Sequence, residues 1–189
     1  MKLEIVAEHS ILADTPTGYV LDVGARSFSF SKAMANRWHQ VIALDPDPTI
    51  EDPKHARIKY RREALRDSDG LALFEMAADP QARRLSSSGS IPVVCKTIED
   101  VMREEWVGHF RIVKLDCEGA EYGILENWPG SIADQVTVEF HEHVAPQSSE
   151  RYENIISHMS QWYELVQHEK TLRHCIGTPN YWDSLWVLK

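Results

Sequence analysis

The sequence predicts an α/β fold, a mostly parallel sheet packed between helices and closed by an antiparallel C-terminal strand pair, and three observations predict it. Short apolar runs alternate with amphipathic stretches along most of the chain. The stretch from Tyr19 to Asp47 reads as one strand, tight turn, helix and strand. Its two strands end in acids, Asp22 and Asp45, 23 residues apart. At that spacing an acidic residue beyond a βα turn takes the ribose hydroxyls of a nucleotide, so a nucleoside-containing cofactor is expected at the carboxyl ends of these strands.

Each element has its own local reason. Met1 to Ala13 is expected to form a short amphipathic helix, and Thr15-Pro16-Thr17-Gly18 punctuates a turn into the first strand. Phe30, Ala33, Met34 and Trp38 recur at helical spacing, the stripe with which a helix lies on a sheet. After Asp45-Pro46-Asp47-Pro48 a polar stretch is expected to form a short helix, and Arg57 to Arg61 alternates with period two as a third strand. Asp67-Ser68-Asp69-Gly70 turns the chain into a strand over Leu71 to Met76. Ala77 to Pro92, containing Ser86-Ser87-Ser88-Gly89-Ser90, reads as a loop, either a lid or a linker. Thr97 and Asp100 form a capping box for a helix reaching Trp106, with Ile98, Val101 and Met102 on one face.

The second half repeats the strand-to-helix logic. Phe110 to Leu115 is a strand ending in Asp116, and Glu118-Gly119-Ala120-Glu121 opens a short helix that stops between Asn127 and Pro129. Gln135 to Phe140 is the next strand, running into Glu139-Phe140-His141-Glu142-His143. Tyr152, Ile155, Ile156, Met159 and Trp162 mark a longer helix, and strands around Tyr163 to His168 and Ser184 to Leu188 close the chain. No internal repeat or change of composition divides it, so one domain over residues 1–189 is expected.

Composition narrows the functional classes. With 29 acidic against 20 basic residues the net charge is -9, which leaves no cationic footprint for a nucleic-acid backbone. The basic cluster Arg57, Lys59, Arg61 and Arg62 is read as a solvated strand face. Cys95, Cys117 and Cys175 share no metal-ligand spacing, and their odd number fits a reducing compartment, with Cys117 expected as a small core residue. Neither a secretory leader nor a membrane-length apolar run is visible, so the expectation is a soluble, cytoplasmic protein with no membrane partner. Oligomeric state is not legible.

Six stretches now stand in order: VLDVGA at 20 to 25, VIALDPDP at 41 to 48, EALRDSDGLALFE at 63 to 75, KTIEDVM at 96 to 102, VKLDCEGAEYGIL at 113 to 125 and VTVEFHEH at 136 to 143. Together they resemble the FkbM-type methyltransferases, and KLDCEGAE is the most specific of them. The resemblance implies a Rossmann-like class I methyltransferase sandwich, S-adenosylmethionine as cofactor and a small-molecule acceptor, a hydroxyl of a sugar or natural product. It further implies that Asp22, Gly24 and Ala25 line the turn near the cofactor's methionine end, that Asp45 accepts the ribose hydroxyls, and that Pro46 and Ala64 flank the adenine.

The chemistry asks little covalent help of the protein. Methyl transfer needs the acceptor atom in line, about 3 to 3.5 Å from the methyl carbon, so positioning groups dominate. Asp116 and Glu118 leave the sheet beside the expected methyl donor and are candidates to orient the acceptor or take its proton; for Glu118 the alternative is a helix cap. Glu139, His141 and His143 alternate on one face of the next strand, which makes His141 a candidate base. His-x-His beside acids is also a conceivable metal site, but no further ligand pair accompanies it and no metal is expected.

One departure bears on activity. The family continues its first turn as Gly-Ala-Asn-x-Gly, whereas here it is Gly24-Ala25-Arg26-Ser27-Phe28. If the glycine position requires positive φ, Phe28 costs about 1 to 2 kcal/mol, and its ring could occlude the methionine pocket. The alternative function is therefore a catalytically degenerate binding or scaffold domain. A nicotinamide dehydrogenase is disfavoured because the turn lacks Gly-x-Gly-x-x-Gly.

Overall fold

The computed structural model describes residues 1–79, 83–141, 144, 148–171 and 181–189. His143 and Cys175 lie outside the described residues.

The N-terminus forms a hairpin where a helix was expected. Strands β1 (Leu3–Val6) and β2 (His9–Leu12) pair antiparallel, with Val6 opposite His9. Ala7 and Glu8, at φ 45° and 76°, make the two-residue left-handed turn that suits the twist of a hairpin. The segment's apolar spacing does not report its buried face, since Leu3 and Ile5 are exposed while Val6, His9 and Ile11 are buried. Gln135 decides the docking, because its Oε1 accepts from Leu12 N (2.8 Å) and its Nε2 donates to Thr15 Oγ1 (2.6 Å).

The organising unit folds as expected: β3 (Tyr19–Val23), α1 (Ser29–Asn36) and β4 (Gln40–Leu44), followed by β5 (Ile58–Arg61). No helix forms before β5; Asp47 Oδ1 instead accepts from Thr49 N (2.8 Å) and Thr49 Oγ1 (2.7 Å), closing a turn. Strands β6 (Ala64–Leu65), β7 (Gly70–Glu75), β8 (Arg84–Leu85) and β9 (Ile91–Lys96) then build a small sheet in the order β6-β9-β7-β8. The stretch read as one long loop therefore contains β8 and leads into β9. Ile91, Val93 and Cys95 alternate inward along β9 as a half-buried strand requires.

Helix α2 (Ile98–Glu105) carries the expected capping box, Thr97 Oγ1 accepting from Asp100 N (3.1 Å) and Asp100 Oδ2 accepting from Thr97 N (3.2 Å). Strand β10 (Phe110–Leu115), α3 (Glu121–Glu126), β11 (Ala133–His141), α4 (Ser148–Met159), β12 (Tyr163–Thr171) and β13 (Tyr181–Leu188) complete the chain. The main sheet has the order β12-β13-β11-β10-β3-β4-β5. Strands β11, β10, β3, β4 and β5 run parallel, and β13 pairs antiparallel with both β11 and β12.

Period-two alternation divides the core between the faces of this sheet. Leu21, Val23, Ile42, Leu44, Val113 and Leu115 pack against α2, α3 and α4. Val20, Val41, Ala43 and Ile112 pack on the opposite side with Phe30, Met34 and Ala35 of α1 and with the hairpin's Val6 and Ile11. Strand order reverses between β3 and β10, and at such a switch point the loops part and leave a crevice at the strands' carboxyl ends.

Candidate functional site

A cavity of about 740 Å³ occupies that crevice. Its floor is the turn after β3. Gly24 N and Ala25 N both donate to Leu44 O (2.9 and 3.2 Å), which staples the turn to the end of β4. Gly24 has φ 77°, and a Cβ there would fall 1.7 Å from the carbonyl oxygen of Asp116. Only glycine lets β3 and β10 leave the sheet so close together.

Asp45 forms the wall at the end of β4. Its Oδ2 accepts from Arg26 N (2.9 Å) and its Oδ1 from Asp47 N (3.0 Å), while burial pushes its carboxyl upward in pKa. Each oxygen keeps acceptor capacity for a diol hydroxyl. Pro46 and Ala64 line the same end. Arg83 ties the segment before β8 across it, its Nη1 donating to Asp47 Oδ2 (2.7 Å) and Thr49 Oγ1 (3.0 Å).

Phe28 does take the left-handed conformation, with φ 55°. Its ring is buried edge-on against Tyr60, with centroids 5.2 Å apart, inside the core cluster beneath α1. Burying a phenyl contributes about 2 to 3 kcal/mol, more than the about 1 to 2 kcal/mol of backbone strain. The cavity is lined by Arg26, Ser27, Ser29 and Phe30 at this turn, and the Phe28 ring is not in it.

The other end of the cavity is a charged cluster on one face of the sheet. Asp22 and Lys114 are cross-strand neighbours, and alternation carries Asp116 and Glu139 to the same face. Lys114 is buried, with Nζ 3.2 Å from Asp22 Oδ1 and 3.3 Å from Asp116 Oδ2, and it donates to the carbonyls of Val23 (3.2 Å) and Gly24 (2.9 Å). Burial alone would strip its proton, but the two carboxylates hold it charged, well above the usual lysine range. Burial would likewise raise Asp116, yet Lys114, His9 and His141 hold it ionised. Asp22 also accepts from Ser31 Oγ of α1 (2.5 Å).

His141 is caged by acids. Glu121 Oε1 accepts from the His141 backbone N (2.8 Å) and lies 3.1 Å from Nδ1, while Nε2 stands 3.6 Å from both Asp116 and Glu118. Burial pulls the imidazole down, but these carboxylates outweigh it and raise its pKa to about 10. Glu118, at φ 54°, is pushed up to about 7, chiefly by burial. It does not cap the next helix; Glu121 turns back instead, its Oε2 accepting from Gly119 N (2.8 Å).

The structure thus brings Asp22, Gly24, Ala25, Asp45, Pro46, Ala64, Asp116, Glu118 and His141 to one cavity. Cys117 packs at the edge of the core rather than within it and lines the cavity between Asp116 and Glu118. Lys114, Glu121, Asp47, Arg83 and His9 escaped sequence reasoning. A lone lysine inside the apolar run of β10 was the visible signal for Lys114; His9 had none once its segment was read as helix. Ligand atoms of His9, Asp116 and Glu139, and of Asp116, Glu118 and His141, come within 4.8 Å of one another. The contacts within the cluster are ion pairs, with Lys114 Nζ 3.3 Å from Asp116 and His141 Nε2 3.6 Å from both Asp116 and Glu118.

Comparison with solved structures places the fold. The chain superposes on a magnesium protoporphyrin IX methyltransferase from Synechocystis PCC 6803, with SAM bound, at a TM-score of 0.53 and 11% identity, over 93% of this chain and 72% of that one. It superposes on a protein described as a hemolysin from Streptococcus thermophilus at a TM-score of 0.51 and 9% identity, over 90% of this chain and 59% of that one. The chain therefore spans only about three fifths of the Streptococcus protein's length. These likenesses bear on the fold, a class I Rossmann-like sandwich with a mostly parallel sheet. No curated protein matches the sequence. The family profile described as the methyltransferase FkbM domain matches residues 22–169, from Asp22 near the end of β3 into β12. The chain belongs to the FkbM methyltransferase family.

Proposed function

We propose that the protein is an active, cytoplasmic, single-domain methyltransferase that uses S-adenosylmethionine to methylate a hydroxyl of a small molecule, a sugar or natural-product scaffold, rather than a nucleic acid. The observation that carries this reading is the continuity of one cavity from Asp45 to the cluster of Asp116, Glu118 and His141. The residues present fit the cofactor: Gly24 lines the cavity with backbone alone, and Asp45 retains acceptor capacity on both oxygens. In this reading Asp22, Gly24 and Ala25 hold the methionine end, Asp45 the ribose, and Pro46 and Ala64 the adenine. When bound, the cofactor supplies an electrophilic methyl group on a sulfonium.

The chain's own residues then do three things. Lys114 locks Asp22 to Asp116 and so fixes the turn after β3 against the end of β10. His141, held as the imidazolium, keeps Asp116 and Glu118 oriented toward the acceptor. Glu118 takes the acceptor's proton, since burial raises its carboxyl to about 7, where a base works near neutral pH. The base assigned from sequence to His141 accordingly passes to Glu118. The degenerate-scaffold alternative rested on Arg26 and Phe28; the Phe28 ring faces the core, which speaks against occlusion by that residue, while Arg26 lines the cavity.

Incubation with methyl-labelled S-adenosylmethionine and pooled small molecules bearing either hydroxyls or amines tests the reading. Label is expected in the hydroxyl pool. Label confined to the amine pool, or to neither, would contradict it.

A further inference from the structure

A second cavity, of about 520 Å³, adjoins the first. The two share Arg84, Leu85, Cys117, Glu118 and Ala120, so the second begins where the charged cluster ends. A cavity that adjoins the cofactor cleft at Glu118 is positioned to receive an acceptor. Its lining has three zones. Glu118 stands at the junction, Leu71, Leu73 and Leu85 form an apolar wall, and Arg66 and Arg84 carry its positive charge.

The apolar zone is not core. Leu71 and Leu73 point to one face of β7 by alternation, and they are 76% and 42% exposed. Two neighbouring leucines left in water on one strand face mark a surface that gains by being covered. The cationic zone runs against the chain's net charge of -9. Among the described residues neither arginine is tightly engaged by a carboxylate: Arg66 stands 3.8 Å from Asp67 and Arg84 4.0 Å from Glu75, toward the outer limit of ion pairing. A guanidinium has five N–H donors in a planar fork suited to a carboxylate or phosphate, so both keep donors for a ligand.

The geometry points to an amphipathic anion as the acceptor: a molecule with an apolar body lying on Leu71, Leu73 and Leu85, an acidic group held by Arg66 and Arg84, and its hydroxyl at Glu118. The inference rests on the methyltransferase reading and names its substrate class. The carboxylates of the cluster repel an acidic group, so charge favours presenting the uncharged hydroxyl rather than the acid to Glu118.

The test uses two probes that differ by one charge, 10-hydroxydecanoate and its methyl ester, titrated calorimetrically into the full chain with S-adenosylhomocysteine present. The acid is expected to bind at least about tenfold more tightly than the ester, in keeping with one charged hydrogen-bonding pair. In the Arg66→Gln/Arg84→Gln double variant that ratio is expected to fall to about one. Because the ratio compares two ligands on one protein, it is insensitive to a general loss of affinity. Equal binding of acid and ester, binding of neither, or a ratio that survives in the double variant overturns the inference. The first titration step separates this from failure of the methyltransferase reading: if S-adenosylhomocysteine itself does not bind, that reading falls too.

Discussion

Gly24 is the residue at which the site is most sharply constrained, because a Cβ there meets the backbone of Asp116 at 1.7 Å. Gly24→Ala is therefore expected to abolish cofactor binding or folding, whereas Ala25→Gly next to it retains both; circular dichroism and calorimetry distinguish the outcomes. Lys114 is the most costly charge to lose. Lys114→Met leaves Asp22 buried with no counterion, a change expected to cost about 3 to 5 kcal/mol in urea denaturation, and pairing it with Asp22→Asn should recover part of that loss. Glu118 makes a kinetic prediction. With its carboxyl near 7, the rate should rise as pH passes through about 7, and Glu118→Gln should lose that limb of the profile while still binding cofactor. Sequence reasoning reached Asp22, Asp45, Asp116 and Glu118 because strand ends announce themselves. It missed Glu121 because a carboxylate that folds back on its own loop and on His141 has no spacing signature.

At the scale of elements, local signals were legible where one residue pair decides the geometry. The spacing of Thr97 and Asp100 alone marks the start of α2, and Thr97→Ala should cost about 1 kcal/mol of stability by thermal or urea unfolding. The hairpin β1–β2 was not legible, since its exposed Leu3 and Ile5 and its buried Val6 and Ile11 give no simple pattern, and it is held by Gln135 more than a hundred residues away. Strand β9 was hidden differently. Its inward Ile91, Val93 and Cys95 alternate as a strand should, but a proline at 92 and the serine-rich turn before it read as loop. Both missed elements border the site: the hairpin delivers His9 to the cofactor cavity, and β9 supports the β7 strand that carries Leu71 and Leu73. The parts of a fold that shape substrate specificity are set by tertiary contacts, which a strand-by-strand pattern does not contain.

At the scale of the whole molecule, the order β12-β13-β11-β10-β3-β4-β5 brings Asp22, Lys114, Asp116 and Glu139 together toward the carboxyl ends of the central strands, across the switch between β3 and β10. Among the described residues no helix is long and apolar enough to cross a membrane. Concentrating acids there makes global stability depend on pH through His141. Its folded pKa of about 10 lies above the ordinary 6.5, so its contribution is complete below about pH 6.5 and is lost as pH rises from there through about 10. The thermal midpoint should fall across that window, and His141→Gln should flatten the fall. The central claim, that the Tyr19 to Asp47 unit holds S-adenosylmethionine through Asp45, is tested most directly by calorimetric titration of the cofactor into the wild-type protein and Asp45→Ala. The account predicts saturable binding to the wild type and a loss of about 1.5 to 3 kcal/mol in the folded variant. No binding to the wild type, or equal affinity in the two proteins, would contradict it.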